Sequence, residues 1–250
     1  MKYFNLILFF LLLSCNNDHS PISSSQQGNN TDDDTENPDA INILFIGNSL
    51  TIANGGIETH VQNFYNNGNP EIIAYTQSAS TSGASLKEHL MDGLALGAIN
   101  SKDWDYIILQ ENGVIATINP EETIASILEF KELINSSTNV FLFMTWAYEG
   151  QPEMTEQLRS VYNEASELTN FSVIPVGLGW RDFENENNSI SLLNMDGQHP
   201  SKFGTYFASS MIFSILSNQN INPIPYSSNL TSAQAGFIKQ KVLESINLYY

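Results

Sequence analysis

The chain contains a single cysteine, Cys15, among 250 residues. This excludes an intrachain disulfide framework, a cysteine-based zinc site and an iron–sulfur cluster. Positive charge is equally scarce: nine Lys and Arg stand against 27 Asp and Glu, a formal charge of −18. So acidic a chain repels phosphate backbones and anionic lipid headgroups, which excludes nucleic acid as its partner class. No His-Glu-x-x-His or similar spacing occurs, so metal catalysis is not expected and no cofactor is called for. The apolar run Leu6–Leu13 is far shorter than the roughly 20 residues that a membrane-spanning helix needs. What is present is apolar content: 42% of residues are hydrophobic and 14% charged, enough to build a sizeable core.

Residues 1–14 carry one positive charge, Lys2, then the apolar run, then Ser14 before Cys15. That order is the pattern of a secretory signal. Leu12-Leu13-Ser14-Cys15 resembles a bacterial lipobox, in which the cysteine is acylated and becomes the first mature residue. Residues 15–40 hold Ser23-Ser24-Ser25-Gln26-Gln27 and Asp32-Asp33-Asp34 without hydrophobic periodicity, the composition of a solvated acidic tether. The aspartate run lacks the spaced ligands and turn glycine of a calcium loop. The expectation is a lipid-anchored protein of the bacterial cell envelope, facing away from the cytoplasm at the outer membrane, with one domain over residues 41–250.

From Ile41 the pattern changes. Short apolar runs at Ile41–Gly47, Glu71–Thr76, Tyr106–Gln110, Asn139–Trp146 and Phe171–Val176 read as strands. Between them apolar residues recur at helical spacing: Ile57, Val61 and Phe64; Leu86, Leu90 and Leu94; Ile124, Leu128 and Ile134; Leu158, Val161 and Leu168. Phe203–Leu216 and a closing helix from about Ser232 follow, with Thr231 as its N-cap. Apolar strands separated by helices predict an α/β fold with a five-stranded parallel sheet covered on both faces. In such sheets ligands bind beyond the carboxyl ends of the strands.

At the first strand's end stands Gly47-Asn48-Ser49-Leu50-Thr51. A serine on a turn past a strand is placed to present its hydroxyl, although Thr51 occupies the second glycine position of an α/β-hydrolase elbow. Alone, such a turn is more often structural than catalytic. Near the other end, Asp196 precedes His199 by three residues, just before a helix. A carboxylate so placed can orient an imidazole as a general base. Together the two segments supply a nucleophile, a base and an orienting acid.

These motifs resemble the SGNH (GDSL-like) hydrolases. Gly47-Asn48-Ser49-Leu50 matches the family's first motif with Asn in place of Asp, and Asp196-x-x-His199 its fifth. Gly83, in Ser82-Gly83-Ala84-Ser85, stands where the second-motif glycine belongs; Gln110-Glu111-Asn112-Gly113 takes the place of the third motif, Gly-x-Asn-Asp. The likeness covers about Ile41 to Leu216, and resembles most an uncharacterised bacterial branch of the superfamily. It implies a three-layer α/β/α fold of flavodoxin-like topology and a Ser49–His199–Asp196 relay. It also implies an oxyanion hole from the Ser49 and Gly83 amides and the Asn112 side chain, with Gln110 as the alternative to Asn112.

Trp146 and Trp180 follow the fourth and fifth strands and either line the pocket or pack. His60 and His89 fall within predicted helices, where a solvated or core-edge histidine is the default. The implied activity is hydrolysis of short acyl esters, acetyl above all, including those on polysaccharide. Two other readings stay open: a surface carbohydrate-binding lipoprotein with little turnover, and a lipase or thioesterase for longer chains.

Overall fold

The structure, a computed structural model, describes residues 39–68, 71–186 and 189–250. The signal segment, Cys15 and most of the tether lie outside the described residues. Five strands, β1 (Asp39–Gly47), β2 (Ile72–Ser80), β3 (Tyr106–Leu109), β4 (Asn139–Phe143) and β5 (Ser172–Ile174), form one sheet in the order β2-β1-β3-β4-β5. Every pairing is parallel. From β1, one strand in from the edge, the chain winds outward to β2, then crosses back over β1 to β3. The ends of β1, β2 and β3 therefore converge at a topological switch point, the place where such sheets bind ligands.

Helices cover both faces. On one side lie α2 (Ile57–Gly68), α8 (Val176–Glu186), α9 (Lys202–Ser217) and α10 (Ser232–Tyr249), after the short α1 (Ser49–Ile52). On the other lie α3 (Leu86–Asp92), α4 (Leu94–Ile99), α5 (Gly113–Ile118), α6 (Pro120–Leu133) and α7 (Met154–Thr169). The period-two alternation of β1 divides the core: Ile43 and Phe45 join the cluster under α2 and α9, Leu44 and Ile46 the cluster under α3 and α7. Two apolar layers enclosing one sheet are what the composition demands.

The structure corrects several expectations. β2 runs on to Ser80 through Gln77 and Ser78. It is an edge strand, so polar side chains tolerate its half-solvated positions and hydrophobicity understates its length. β1 begins at Asp39, two residues inside the segment read as tether. The Leu86–Leu94 stripe is two helices, broken at Gly93 with φ 75°. Along α6 the buried positions are Thr123, Ser126, Ile127 and Phe130, while Leu128 is exposed. Leu168, assigned to the α7 stripe, is also exposed.

Gly204 lets α9 approach the chain that precedes Asp196. A Cβ there would lie 2.2 Å from the Leu192 carbonyl oxygen and 2.4 Å from Trp180. Gly236 in α10 has nothing within 4 Å of the same position. Gly204→Ala is therefore expected to destabilise the fold by about 1–3 kcal/mol through overpacking. Gly236→Ala is expected to stabilise it by about 0.5–1 kcal/mol through helix propensity. Thermal unfolding of both variants beside wild type checks the pair, and equal shifts would contradict the close approach.

Candidate active site

Ser49 opens α1 immediately after β1, and Asn48 is the N-cap that fixes it there. Asn48 is buried and bonded through both ends of its side chain: its Oδ1 accepts from the Leu50 amide at 3.1 Å and its Nδ2 donates to the Ala84 carbonyl at 3.0 Å. Its own amide donates to Gln110 Oε1 at 2.9 Å. The first strand's turn is thereby tied to the ends of β2 and β3.

Across the site, His199 Nε2 lies 2.9 Å from Ser49 Oγ, and His199 Nδ1 lies 2.8 Å from Asp196 Oδ2. The structure thus brings together three residues that sequence analysis singled out at opposite ends of the domain. The second Asp196 oxygen accepts the amides of Gln198 and His199, both at 2.9 Å. Those two amides, and then the imidazole, hold the Asp196 carboxyl down at about 2. An ionised Asp196 accepts the Nδ1–H, which leaves Nε2 as the acceptor for the Ser49 hydroxyl proton.

The loop carrying this pair is held from several sides. Asn194 N donates to His199 O at 2.8 Å, Glu149 N to Gly197 O at 2.8 Å, and Trp146 Nε1 to Gln198 O at 3.0 Å. Asn54 Nδ2 donates to Pro200 O at 2.8 Å, and the Asn54 carbonyl faces His60 Nε2 at 3.3 Å. His60 Nδ1 in turn meets the Tyr226 hydroxyl at 2.7 Å. Burial lowers the His60 pKa, consistent with a neutral ring that accepts from Tyr226 and donates to Asn54.

The tryptophans divide. Trp146 and Trp180 stack face to face, centroids 3.8 Å apart, and are 0% and 2% exposed. Trp146 packs and braces the histidine loop and does not line a pocket, a correction to that reading. Trp180 shows an edge to a cavity of about 590 Å³, shared with Tyr148, Glu149, Arg181, Asn185 and Asn194. This cavity borders the residues just ahead of Asp196.

The remaining candidate donors lie on the segments that follow β1, β2 and β3. Among the described residues, the Ser49 and Gly83 amides have no hydrogen-bond partner. Gly83 sits in the turn after β2 with φ 77°, a conformation that an L side chain resists. Asn112 caps α5 through its Oδ1, and its Nδ2 donates to the Gly83 carbonyl at 2.8 Å. That leaves the second Asn112 N–H free to donate. Gln110 is a different case: its oxygen accepts from Asn48 N and Thr51 Oγ1, both at 2.9 Å, and its nitrogen donates to Glu111 O at 2.6 Å. Buried at 1% exposure and bonded to the Asn48 amide and Thr51, Gln110 supports the turn that carries Ser49 and does not face the site, which corrects the alternative to Asn112.

Two buried groups carry roles that the sequence did not reveal. His89, read as solvated or core-edge, is completely buried, with Nε2 2.6 Å from the Gly47 carbonyl. Glu111 is 0% exposed; its Oε1 accepts from Leu86 N at 3.1 Å and Asn112 N at 2.6 Å. Burial pushes its carboxyl up to about 7, against the pull of those two amides. An acidic residue directly after an apolar strand was the only available signal. Among the described residues, no three His, Cys, Asp or Glu side chains are grouped to hold a metal.

No protein-family model matches the chain. No curated protein matches it by sequence. Solved structures do match by fold. A DUF4886 family protein from Bacteroides uniformis superposes with a TM-score of 0.71 at 20% identity, covering 84% of this chain and 96% of that one. A protein assigned to the SGNH hydrolases from Slackia heliotrinireducens gives 0.62 at 22% identity, covering 71% and 100%. Axe2, an acetylxylan esterase from Geobacillus stearothermophilus, gives 0.55 at 17% identity, covering 76% and 97%. The chain therefore has the α/β fold of the SGNH hydrolases.

Glu111 makes stability depend on pH. Its folded-state value near 7 lies above the ordinary 4.5, so the native state holds the proton more tightly than the unfolded chain does. Stability from this group is full below pH 4.5 and is lost as pH rises through about 7. Relative to Glu111→Gln, wild type should lose about 3 kcal/mol across that interval. Denaturant titrations of both proteins at several pH values test this; parallel stability curves would refute it.

Proposed function

We propose that this protein is a serine esterase acting on short acyl esters, acetyl esters foremost, including those carried on polysaccharide. The observation that carries this reading is the continuous relay from Asp196 through His199 to Ser49, with contacts of 2.8 and 2.9 Å. His199 Nε2 takes the Ser49 hydroxyl proton as Oγ attacks the ester carbonyl. The carbonyl oxygen gains negative charge, which the Ser49 amide, the Gly83 amide and the free Asn112 N–H meet. Donors fixed at such a point are each worth about 10²–10³ in rate. The C–O bond to the alcohol then breaks, and His199 returns the proton to the departing oxygen. Water, deprotonated by the same imidazole, cleaves the acyl-serine and restores Ser49.

Surroundings favour a short acyl group and a polar alcohol. The groove beside Gly83 is lined by Ala84 and Met91 as well as Glu88 and Asp92; it lies open to solvent, so a long alkyl chain laid there would bury little of its surface. On the other flank, the cavity with Tyr148, Glu149, Asn185 and Asn194 offers an aromatic ring and several hydrogen-bonding groups to a neutral polyhydroxyl moiety. The acetylxylan esterase of similar fold is a precedent for such chemistry. We further propose that acylation of Cys15 holds the enzyme in the bacterial envelope.

Hydrolysis of p-nitrophenyl acetate by residues 39–250 tests the reaction. Ser49→Ala and His199→Ala are each expected to lower kcat by about 10³-fold or more. An octanoyl ester should be cleaved more slowly than the acetyl ester. Variants with undiminished turnover would remove the proposed mechanism, and faster octanoyl cleavage would favour a lipase. For the anchor, full-length Cys15→Ser should leave the membrane fraction and take up no labelled palmitate; membrane retention would refute acylation there.

A further inference from the structure

The Glu111 carboxyl takes no part in the proposed reaction, yet it lies between two of the segments that supply its donors. Glu111 Oε1 accepts the amides of both Leu86 and Asn112. Leu86 opens α3, three residues after Gly83. The Asn112 side chain reaches back to the Gly83 carbonyl at 2.8 Å. Residues 83–86 are thus gripped at both ends by the Glu111-Asn112 dipeptide, in a closed ring of hydrogen bonds. Packing alone does not explain a carboxyl group here, because an apolar side chain of similar size would fill the space without the cost of desolvation. It would, however, leave two buried amides without an acceptor.

Resting on the esterase reading of this site, we propose that Glu111 is a positioning residue of the oxyanion hole, holding the Gly83 amide and the Asn112 side chain at a fixed separation. The groups that face it from other elements are Thr123 and Glu122 on α6 and the Tyr162 hydroxyl on α7, which accepts the Glu111 amide at 3.3 Å. Oε2 takes part in neither amide contact, so a proton can reside there while Oε1 continues to accept both amides. The ring survives the titration of this group. The clamp is a matter of geometry, independent of charge.

A double-mutant cycle on p-nitrophenyl acetate decides the matter, using wild type, Glu111→Ala, Asn112→Ala and the double variant, with kcat and KM measured separately. Glu111→Ala is expected to lower kcat about 10–100-fold with KM within about threefold, and Glu111→Gln to recover most of that loss. In the Asn112→Ala background the same Ala substitution should cost less than about threefold, because the side chain that it positions is already gone. Should the Ala variant not fold, Glu111→Met fills the space and takes its place in the cycle. Multiplicative losses, a Gln variant as impaired as Ala, or wild-type kcat in Glu111→Ala would each overturn the positioning role alone. A wild type inactive on every ester tested would overturn the esterase reading together with it.

Discussion

The Asn48 amide, buried at the end of β1, needs an acceptor, and Gln110 Oε1 provides one at 2.9 Å. Much of the site follows from that bond. It joins the ends of β1 and β3, while the Asn48 side chain joins the same point to the turn after β2. A parallel sheet ordered β2-β1-β3 brings three strand ends together but does not by itself set their loops. The polar bracket of Asn48, Gln110 and Thr51 does, in a place where an unmet donor would cost about 1–3 kcal/mol. Burial makes these bonds specific: the groups involved have no water to fall back on.

The Asp196–His199 half of the site is built differently. Asp196 and His199 sit three residues apart on a partly solvent-exposed loop, so burial cannot hold them. Backbone contacts do so instead, through Asn194, Gly197 and Glu149, with Trp146 reaching in from the end of β4. The stacked tryptophans form a rigid floor beneath that loop. Asn54, held by His60, fixes the Pro200 carbonyl from the side of α2. One half of the site is secured by enclosure, the other by a frame.

Sequence patterns showed the sheet and singled out Ser49, Asp196 and His199, which the fold brings together, because both depend on local signals. Apolar runs with β-branched residues mark β1, β3, β4 and β5. A Gly-Asn-Ser turn after a strand, and an aspartate three residues before a histidine, carry their chemistry in their spacing. Legibility failed where a residue's role depends on its direction. Gln110 and Asn112 are two apart and both amides, yet one faces the interior and the other the cleft. Trp146 and Trp180 follow equivalent strands, but only one reaches the cavity. His60 and His89 look like ordinary helical histidines until the tertiary fold places a carbonyl beside each ring. β2 is long because it lies at an edge, a fact of topology that no local pattern records.

Asn48 differs from the aspartate that the resembled family more often places there, and its hydrogen bonds give that difference a meaning. It accepts on one side and donates to the Ala84 carbonyl on the other. An aspartate could make the second contact only when protonated, and the turn that presents Ser49 would then vary with acidity. A carboxamide keeps one arrangement at every pH. The two side-chain contacts through which Asn48 sets the Ser49 turn thus hold no proton that a change of acidity could remove.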